Sequence, residues 1–336
     1  MFEARSCRDK ETTHDRDSTS VPRQGGTIRV PAVSWIDHGE DMNGPDFRSE
    51  AETVKSSEMG LELLLRQLHE DIGLNFKQYK PNYLKRRIGV RMRATGCSDY
   101  MQYRQYVKQD REECRRLIND LTINVTEFFR DRDVYEEIRK QVIPQLVQYK
   151  RESRMYSLRA WSAGCATGEE PYSMAILFLH TLSMEKDPSS WALRITATDL
   201  DDKALAKAKA GSYESVNMPP GLNREDYFAK QGDRYVAKEE VKKPIRFLLM
   251  DIMQQPPLRH LDLILCRNVL IYFEREKQHH ILEIFQRCLR PGGFLVLGKS
   301  EAIIGTSDSG LIPFNRRERI YRKEVDAARE TASRKA

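Results

Sequence analysis

The sequence predicts an α/β fold, a mostly parallel sheet with helices on both faces, preceded by a small all-helical domain. Three observations carry this reading. Residues 158–173 (LRAWSAGCATGEEPYS) run from strand-like residues through a turn with Gly164 and Gly168 into the helical pattern Tyr172, Ala175, Ile176, Leu179. Beyond that stretch, short apolar runs alternate with helix-period segments, as in successive βαβ units. Before it, residues 59–122 show helical periodicity alone.

At 336 residues, with 40% hydrophobic and 32% charged residues, the chain can hold two domains and a sizeable core. No run approaches the roughly 20 apolar residues that span a bilayer. The first 24 residues are polar, without the apolar core of a signal peptide, so a cytoplasmic protein is expected. The six cysteines are too scattered for metal-ligand spacing and read as free thiols. Residues 1–55 hold 8 Lys and Arg against 11 Asp and Glu, few large apolar residues and no sustained period, and are expected to be a disordered tail. The rest of the chain is basic.

Leu61, Leu64, Leu65, Leu68 and Ile72 share one helix face, which Gly73 ends. Further helices are expected over 83–95, stopped by Gly96, over 100–108 with Ser98 as N-cap, and over 112–121, making 56–122 the helical domain. Phe76, Tyr79 and Tyr83 have spacings that suit core packing. Between Lys77 and Arg93 stand seven basic residues and no acid. A solvated helix face usually mixes signs, so Lys85, Arg86, Arg87, Arg91 and Arg93 point to a docking surface for an acidic protein helix or a nucleic acid backbone, an ordinary exposed face being the plainer reading.

Residues 123–135 read as a linker. Phe128 and Phe129 anchor it, while Asn124, Thr126 and Arg130 form either a clasp over a ligand or interdomain caps. After the helical pattern Val134, Ile138, Val142, Leu146 and the first strand, strands are expected over 193–198, 244–250 and 261–265. They end in Asp199, in Asp251 and in Cys266-Arg267-Asn268. Helices are expected over 203–210 and 276–289, and a last strand over 294–298 after a Pro291-Gly292-Gly293 turn. Between 214 and 246 the alternation breaks, and Gly232-Asp233 signals the hairpin of a small antiparallel insertion. The α/β domain spans 136–322, and 323–336 are a charged tail.

In open parallel sheets the ligand sits beyond the carboxyl ends of the strands. Gly164 to Glu170, Asp199, Asp251, and Arg267 with Asn268 fall there in series. A glycine turn that opens a helix offers amide N–H groups and close access to the main chain. Phosphate-binding turns keep carboxylates out and often add a lysine, whereas this one carries Glu169 and Glu170 and no lysine. A ligand with a positive charge and hydroxyls fits better, and S-adenosylmethionine, with its sulfonium, amino group and ribose diol, is the candidate. Asp199 is placed to accept both ribose hydroxyls, and Asp251 with the backbone near Ile252 to meet the adenine edge. Helix-dipole and turn-capping acids are the purely structural alternative.

The stretches NVTEFFR (124–130), WSAGCATGEEPYS (161–173), ATDLD (197–201), GSY (211–213), CRNVLIYF (266–273) and PGGFLVLGKSE (291–301) occur in an order that resembles the CheR chemotaxis receptor methyltransferases. The resemblance covers residues 59–322. It implies a Rossmann-like class I methyltransferase domain that transfers a methyl group from S-adenosylmethionine to glutamate side chains of chemoreceptor helices, leaving S-adenosylhomocysteine. It further implies cofactor contacts from Asn124, Thr126, Arg130, Glu170, Asp199, Asp251, Ile252, Arg267 and Asn268, with Arg130 and Tyr272 nearest the transferred methyl. The basic second helix would dock on receptor helices. The insertion resembles the family's small β-subdomain, though it is somewhat short for tethering a receptor peptide. A cytoplasmic monomer recruited to receptor arrays is expected, without metal, membrane insertion or nucleic acid partner. A methyltransferase of another protein or of RNA is the alternative.

Overall fold

The computed structural model describes residues 47–72, 75–122, 124–254, 256–303 and 310–325. The expected tail up to residue 46, the expected helix stop Gly73 and residues 326–336 of the expected charged tail lie outside them. Helix α1 (Phe47–Ile72) begins inside the stretch expected to be a tail, and Leu61, Leu64, Leu65 and Leu68 are buried as their spacing predicts. A 3₁₀ turn (Phe76–Gln78) leads to α2 (Pro81–Thr95), opened by Pro81 and closed by Gly96. Helices α3 (Tyr100–Gln109) and α4 (Arg111–Leu121) follow. Asp99, not Ser98, caps α3, its carboxylate accepting from the Met101 and Gln102 amides, and Asp110 does the same for α4. A carboxylate satisfies the orphan amides and also meets the positive helix end, which a hydroxyl does less well.

Helices α5 (Arg132–Glu137) and α6 (Ile143–Glu152) flank a π-helical turn, Ile138–Val142, in which the Ile143 amide reaches back to the Ile138 carbonyl. Pro144 has no amide to offer the Lys140 carbonyl, and the wider turn absorbs the missing bond. Then come β1 (Ser157–Ala163), α7 (Glu169–Leu182), β2 (Ala192–Asp199) and α8 (Asp202–Ala210). The insertion holds β3 (Ser212–Tyr213), α9 (Arg224–Tyr227), β4 (Phe228–Gln231), β5 (Arg234–Ala237) and α10 (Glu239–Lys242). Its strands form a three-stranded antiparallel sheet in the order β3-β5-β4, with the predicted hairpin pairing Gln231 with Arg234. The chain continues through β6 (Ile245–Leu249), β7 (Leu261–Cys266), α11 (Arg275–Cys288), β8 (Leu289–Leu297), β9 (Leu311–Asn315) and β10 (Ile320–Lys323).

The main sheet has seven strands in the order β6-β2-β1-β7-β8-β10-β9. The first five are mutually parallel, and β10 runs antiparallel to both β8 and β9. Pro291-Gly292-Gly293 is not a turn before the last parallel strand but lies within β8, where the register against β7 shifts between Leu261 and Leu263. A Cβ on Gly293 would come within 2.9 Å of the Leu261 carbonyl oxygen, so the irregularity needs glycine there.

Strand β7 is buried along its whole length, which is why LDLILC reads as a nearly unbroken apolar run. Ile264 and Cys266 face one core with Trp161, Leu295 and Leu297, and that core continues into Leu64, Leu68 and Ile88 of the helical domain. Leu263 and Leu265 face the other, with Leu158, Phe294, Tyr172 and Ile176. Asp262, the one charged residue of β7, accepts from the Arg159 amide and pairs with Lys150 at 3.0 Å and Arg290 at 2.5 Å. Among the described residues no helix is long and apolar enough to cross a membrane. The chain builds β1, β2 and β6 toward one edge and then β7 and β8 toward the other. The reversal between β1 and β7 opens a crevice beyond their carboxyl ends.

Candidate active site

Beyond β1 the chain turns at Gly164, whose φ is +80°; a Cβ here would lie 2.5 Å from Val269 Cγ2. Only glycine lets the turn lie against the loop after β7. The Gly164 and Cys165 amides both donate to the Thr198 carbonyl, at 2.8 and 2.9 Å, and the Ala166 amide donates to Asp199 Oδ2 at 2.7 Å. The turn is thus tied to the end of β2. Asp199 Oδ1 accepts from the Asp201 amide at 3.0 Å, so each carboxylate oxygen is fixed by one backbone N–H and keeps acceptor capacity toward the crevice. Burial pushes its pKa up.

Glu170, in the first turn of α7, accepts from Ser162 Oγ at 2.7 Å. Burial raises its carboxyl to about 7, against the pull of the Arg267 guanidinium. Glu169 accepts from Thr167 Oγ1 at 2.7 Å instead and lines neither cleft. Arg267 pairs with Asp131 and lies 5.3 Å over the Tyr135 ring. Asn268 adopts φ +61°, and its buried Oδ1 has no hydrogen-bond partner among the described residues. Its amide donates to Glu301 Oε2 at 3.0 Å; the same oxygen accepts from the Gly298 amide at 2.6 Å, and Oε1 from the Ile271 amide at 3.3 Å. One buried carboxylate therefore shapes the whole loop after β7.

The linker closes one side. Phe128 and Phe129 are buried, the Phe129 amide donates to Ser173 Oγ at 3.0 Å, and Arg130 Nη1 donates to the Val125 carbonyl at 2.8 Å. Asn124 Nδ2 and Thr122 Oγ1 both donate to Asp201 Oδ2, at 2.6 and 3.3 Å, while Asp201 Oδ1 caps α8.

Two adjoining clefts result, each about 590 Å³ with its open mouth included. Thr126, Arg130, Glu170 and Arg267 line the first; Asn124, Asp199 and Ile252 line the second; Gly164, Asn268 and Tyr272 line both. Asp251 lines neither: Met253 N donates to its Oδ1 at 2.9 Å and Gln78 Nε2 to its Oδ2 at 3.3 Å, so its neighbours Met250 and Ile252 face the space instead. Sequence reasoning missed Asp201 and Glu301; Tyr79 packs in the core as its spacing predicts and also lines the second cleft. Glu301 sat in plain view at the end of PGGFLVLGKSE, but only tertiary contact shows what its carboxylate holds. Cys165 and Cys266 are buried thiols whose pKa burial pushes well up, unsuited to nucleophilic work.

The basic helix α2 divides by orientation. Arg86 and Arg93 are exposed, Lys85 lies 3.6 Å from Glu58, and Arg87 lies near Tyr272. Arg91 turns inward, its Nε and Nη2 donating to the buried Glu113 carboxylate at 2.9 and 2.5 Å. It belongs to the interior of the helical domain and not to a docking face, because a buried carboxylate demands a cation.

The crevice suits a nucleoside with a cationic tail. It offers an acid at the end of β2, an acid in the first turn of α7, a glycine seam and an amide oxygen without a partner among the described residues. A model described as the SAM binding domain of CheR methyltransferases matches residues 124–314, and one for their all-alpha domain matches residues 59–122. A chemotaxis protein methyltransferase of Listeria innocua is 38% identical over 253 residues, covering 74% of this chain and 92% of the relative. Chemotaxis protein methyltransferase 1 of Pseudomonas aeruginosa is 31% identical over 261 residues, covering 76% and 94%.

Proposed function

Because the chain belongs to the CheR methyltransferase family, and is thus an S-adenosylmethionine-dependent methyltransferase of chemotaxis, we propose that its acceptors are glutamate side chains on chemoreceptor helices. The observation that carries this reading is the cationic surround of Tyr272. Arg130, which lines the first cleft with Tyr272, and Arg87 and Arg86 of α2 are near enough for their charges to act on its hydroxyl, with Glu301 the opposing charge, so basic groups lead from α2 toward the junction of the two clefts. An acidic helix is drawn along that path, and a carboxylate is what it delivers.

Bound S-adenosylmethionine supplies a methyl group activated by the sulfonium charge. Asp199 receives the ribose hydroxyls, and Glu170, in the first turn of α7, balances the positive end of the ligand. Asn124, Thr126, Arg267, Asn268 and Ile252 complete the cofactor contacts, with Gly164 giving access to the main chain. A glutamate side chain has an ordinary pKa of about 4.3 and reaches the site ionised, so the residues need only hold it in line. Arg130 grips the acceptor carboxylate. Tyr272, whose pKa burial raises, remains an O–H donor that orients it.

The test is incubation of the full chain with methyl-labelled S-adenosylmethionine and receptor-bearing membranes, scoring base-labile label, since carboxyl methyl esters hydrolyse in alkali. Arg130→Ala is expected to cut labelling by about 100-fold or more in a folded protein. Near wild-type labelling removes Arg130 from its role, and alkali-stable label removes glutamate as the acceptor.

A further inference from the structure

The first cleft is lined by two buried hydrogen-bond donors that have no acceptor among the described residues. One is Nε of Arg267, just beyond β7, and the other is the hydroxyl of Tyr135 on α5. Only 6% of Arg267 and 2% of Tyr135 are exposed. Val134 and Ile138 mark the apolar face of this stretch by their spacing, and nothing local in the sequence sets the Tyr135 hydroxyl apart. Its surroundings do. The Tyr135 ring meets Phe129 edge-on at 5.4 Å and lies 5.3 Å beneath the Arg267 guanidinium. Arg267 donates through Nη2 to Asp131, the residue that opens α5, which fixes the guanidinium over the ring and leaves Nε free. The Tyr135 hydroxyl lies close to Arg267 and Ser173 but makes a bond of normal geometry with neither. Ser173 Oγ is already engaged, accepting from the Phe129 amide and donating to the Glu169 carbonyl.

A buried donor without an acceptor is costly, and two adjacent ones call for one group with several lone pairs. A carboxylate is that group, and its charge suits the guanidinium. The acceptor glutamate has Arg130, which is only half-buried. The other carboxylate of the reaction belongs to the cofactor itself. We propose that Tyr135 is a cofactor-binding residue, its hydroxyl donating, together with Arg267, to the α-carboxylate at the methionyl end of S-adenosylmethionine. Burial, with the Glu170 carboxylate nearby, pushes the phenol pKa up against the pull of Arg267, so Tyr135 remains a donor. Glu170 then faces the positive groups of the ligand, and Tyr135 with Arg267 its negative one. This inference rests on the first cleft being part of the cofactor site.

The experiment is titration calorimetry of the full chain with S-adenosylhomocysteine, with its decarboxylated analogue, which keeps the ammonium, and with methylthioadenosine, which lacks the whole amino acid. Tyr135→Phe removes only the hydroxyl. It is expected to weaken S-adenosylhomocysteine by roughly 10-fold to 100-fold, as for one donor lost to an ionised acceptor, and to leave the other two ligands at wild-type affinity. The KM for S-adenosylmethionine should rise alike, with kcat at saturation and the KM for receptor unchanged. A raised KM for receptor with unchanged S-adenosylhomocysteine affinity gives the hydroxyl to the acceptor glutamate and overturns the assignment. Equal weakening of S-adenosylhomocysteine and its decarboxylated analogue overturns it too, as does a fall in the thermal midpoint of the ligand-free variant that accounts for the loss. Asp199→Ala separates this inference from the wider reading. If Asp199→Ala and Tyr135→Phe both leave every affinity unchanged, the clefts are not the cofactor site; if Asp199→Ala weakens all the ligands and Tyr135→Phe none, only the Tyr135 assignment falls.

Discussion

Glu170 stands where one proton decides two properties. Its carboxyl is raised from 4.5 to about 7 by burial, so between those values the folded chain holds a proton that the unfolded chain has released. Stability from this group is complete below about pH 4.5 and is lost as the pH rises through about 7, amounting to about 3 kcal/mol. The ligand-free protein should therefore lose thermal stability over this range, and Glu170→Gln should flatten its part of the slope in a pH series of thermal midpoints. Affinity for the sulfonium-bearing donor should move the other way, rising as Glu170 ionises between about pH 6 and about pH 8, a dependence that calorimetry on Glu170→Gln should find removed. Arg91 gives a second residue-scale expectation. Arg91→Leu strands the buried Glu113, to which Tyr103 also donates at 2.7 Å, and should cost about 3 kcal/mol in chemical denaturation, with Arg91→Leu/Glu113→Gln recovering part of it. Asp199 was legible in the sequence because it ends an apolar strand, and Glu170 because it follows the glycine turn that opens α7. Arg91 was not told apart from Arg86, since a run of basic residues does not show which one meets an acid from another helix.

The loop between β7 and α11 depends on a residue from a different segment. Glu301 accepts three backbone amides with two oxygens and so holds Asn268 in its left-handed conformation and sets the path that brings Tyr272 to the cleft. Glu301→Ala leaves those amides unpaired and should lower stability by about 2 kcal/mol. It should also raise the cofactor KM; a wild-type KM with wild-type thermal midpoint would show that the loop holds its shape unaided. The parallel strands were readable because both faces are buried, which leaves continuous apolar runs bounded by polar strand ends. Strands β9 and β10 were not foreseen: Leu311–Asn315 has Pro313 in its middle and buries little besides Leu311, so no alternation marked it as a strand. The Pro291-Gly292-Gly293 turn failed as a prediction for a related reason, since a glycine pair can signal a bulge inside a strand as well as a reversal between two.

At the scale of the molecule, part of the basic composition beyond residue 55 lies near the clefts, with Arg86, Arg87 and Arg130 all close enough to Tyr272 to act on its hydroxyl. Arg86→Glu with Arg87→Glu should raise the KM for receptor and flatten its dependence on salt. Binding of S-adenosylhomocysteine should stay near the wild-type value, which separates docking from cofactor capture. The order of elements and the position of the crevice followed from the sequence, but the way the helical domain meets the sheet did not, because no local pattern encodes which aromatic rings will stack across domains. That seam, where Tyr79 and Lys80 pair with Tyr272 and Phe273, bears on protein engineering. A chimera made by grafting the helical half of one relative onto the α/β half of another, to redirect it to a new receptor, would also transplant Tyr79 and with it part of the wall of the second cleft. A graft that keeps residues 76–80 with the host 271–273 segment should preserve cofactor affinity, whereas a cut at the linker should not.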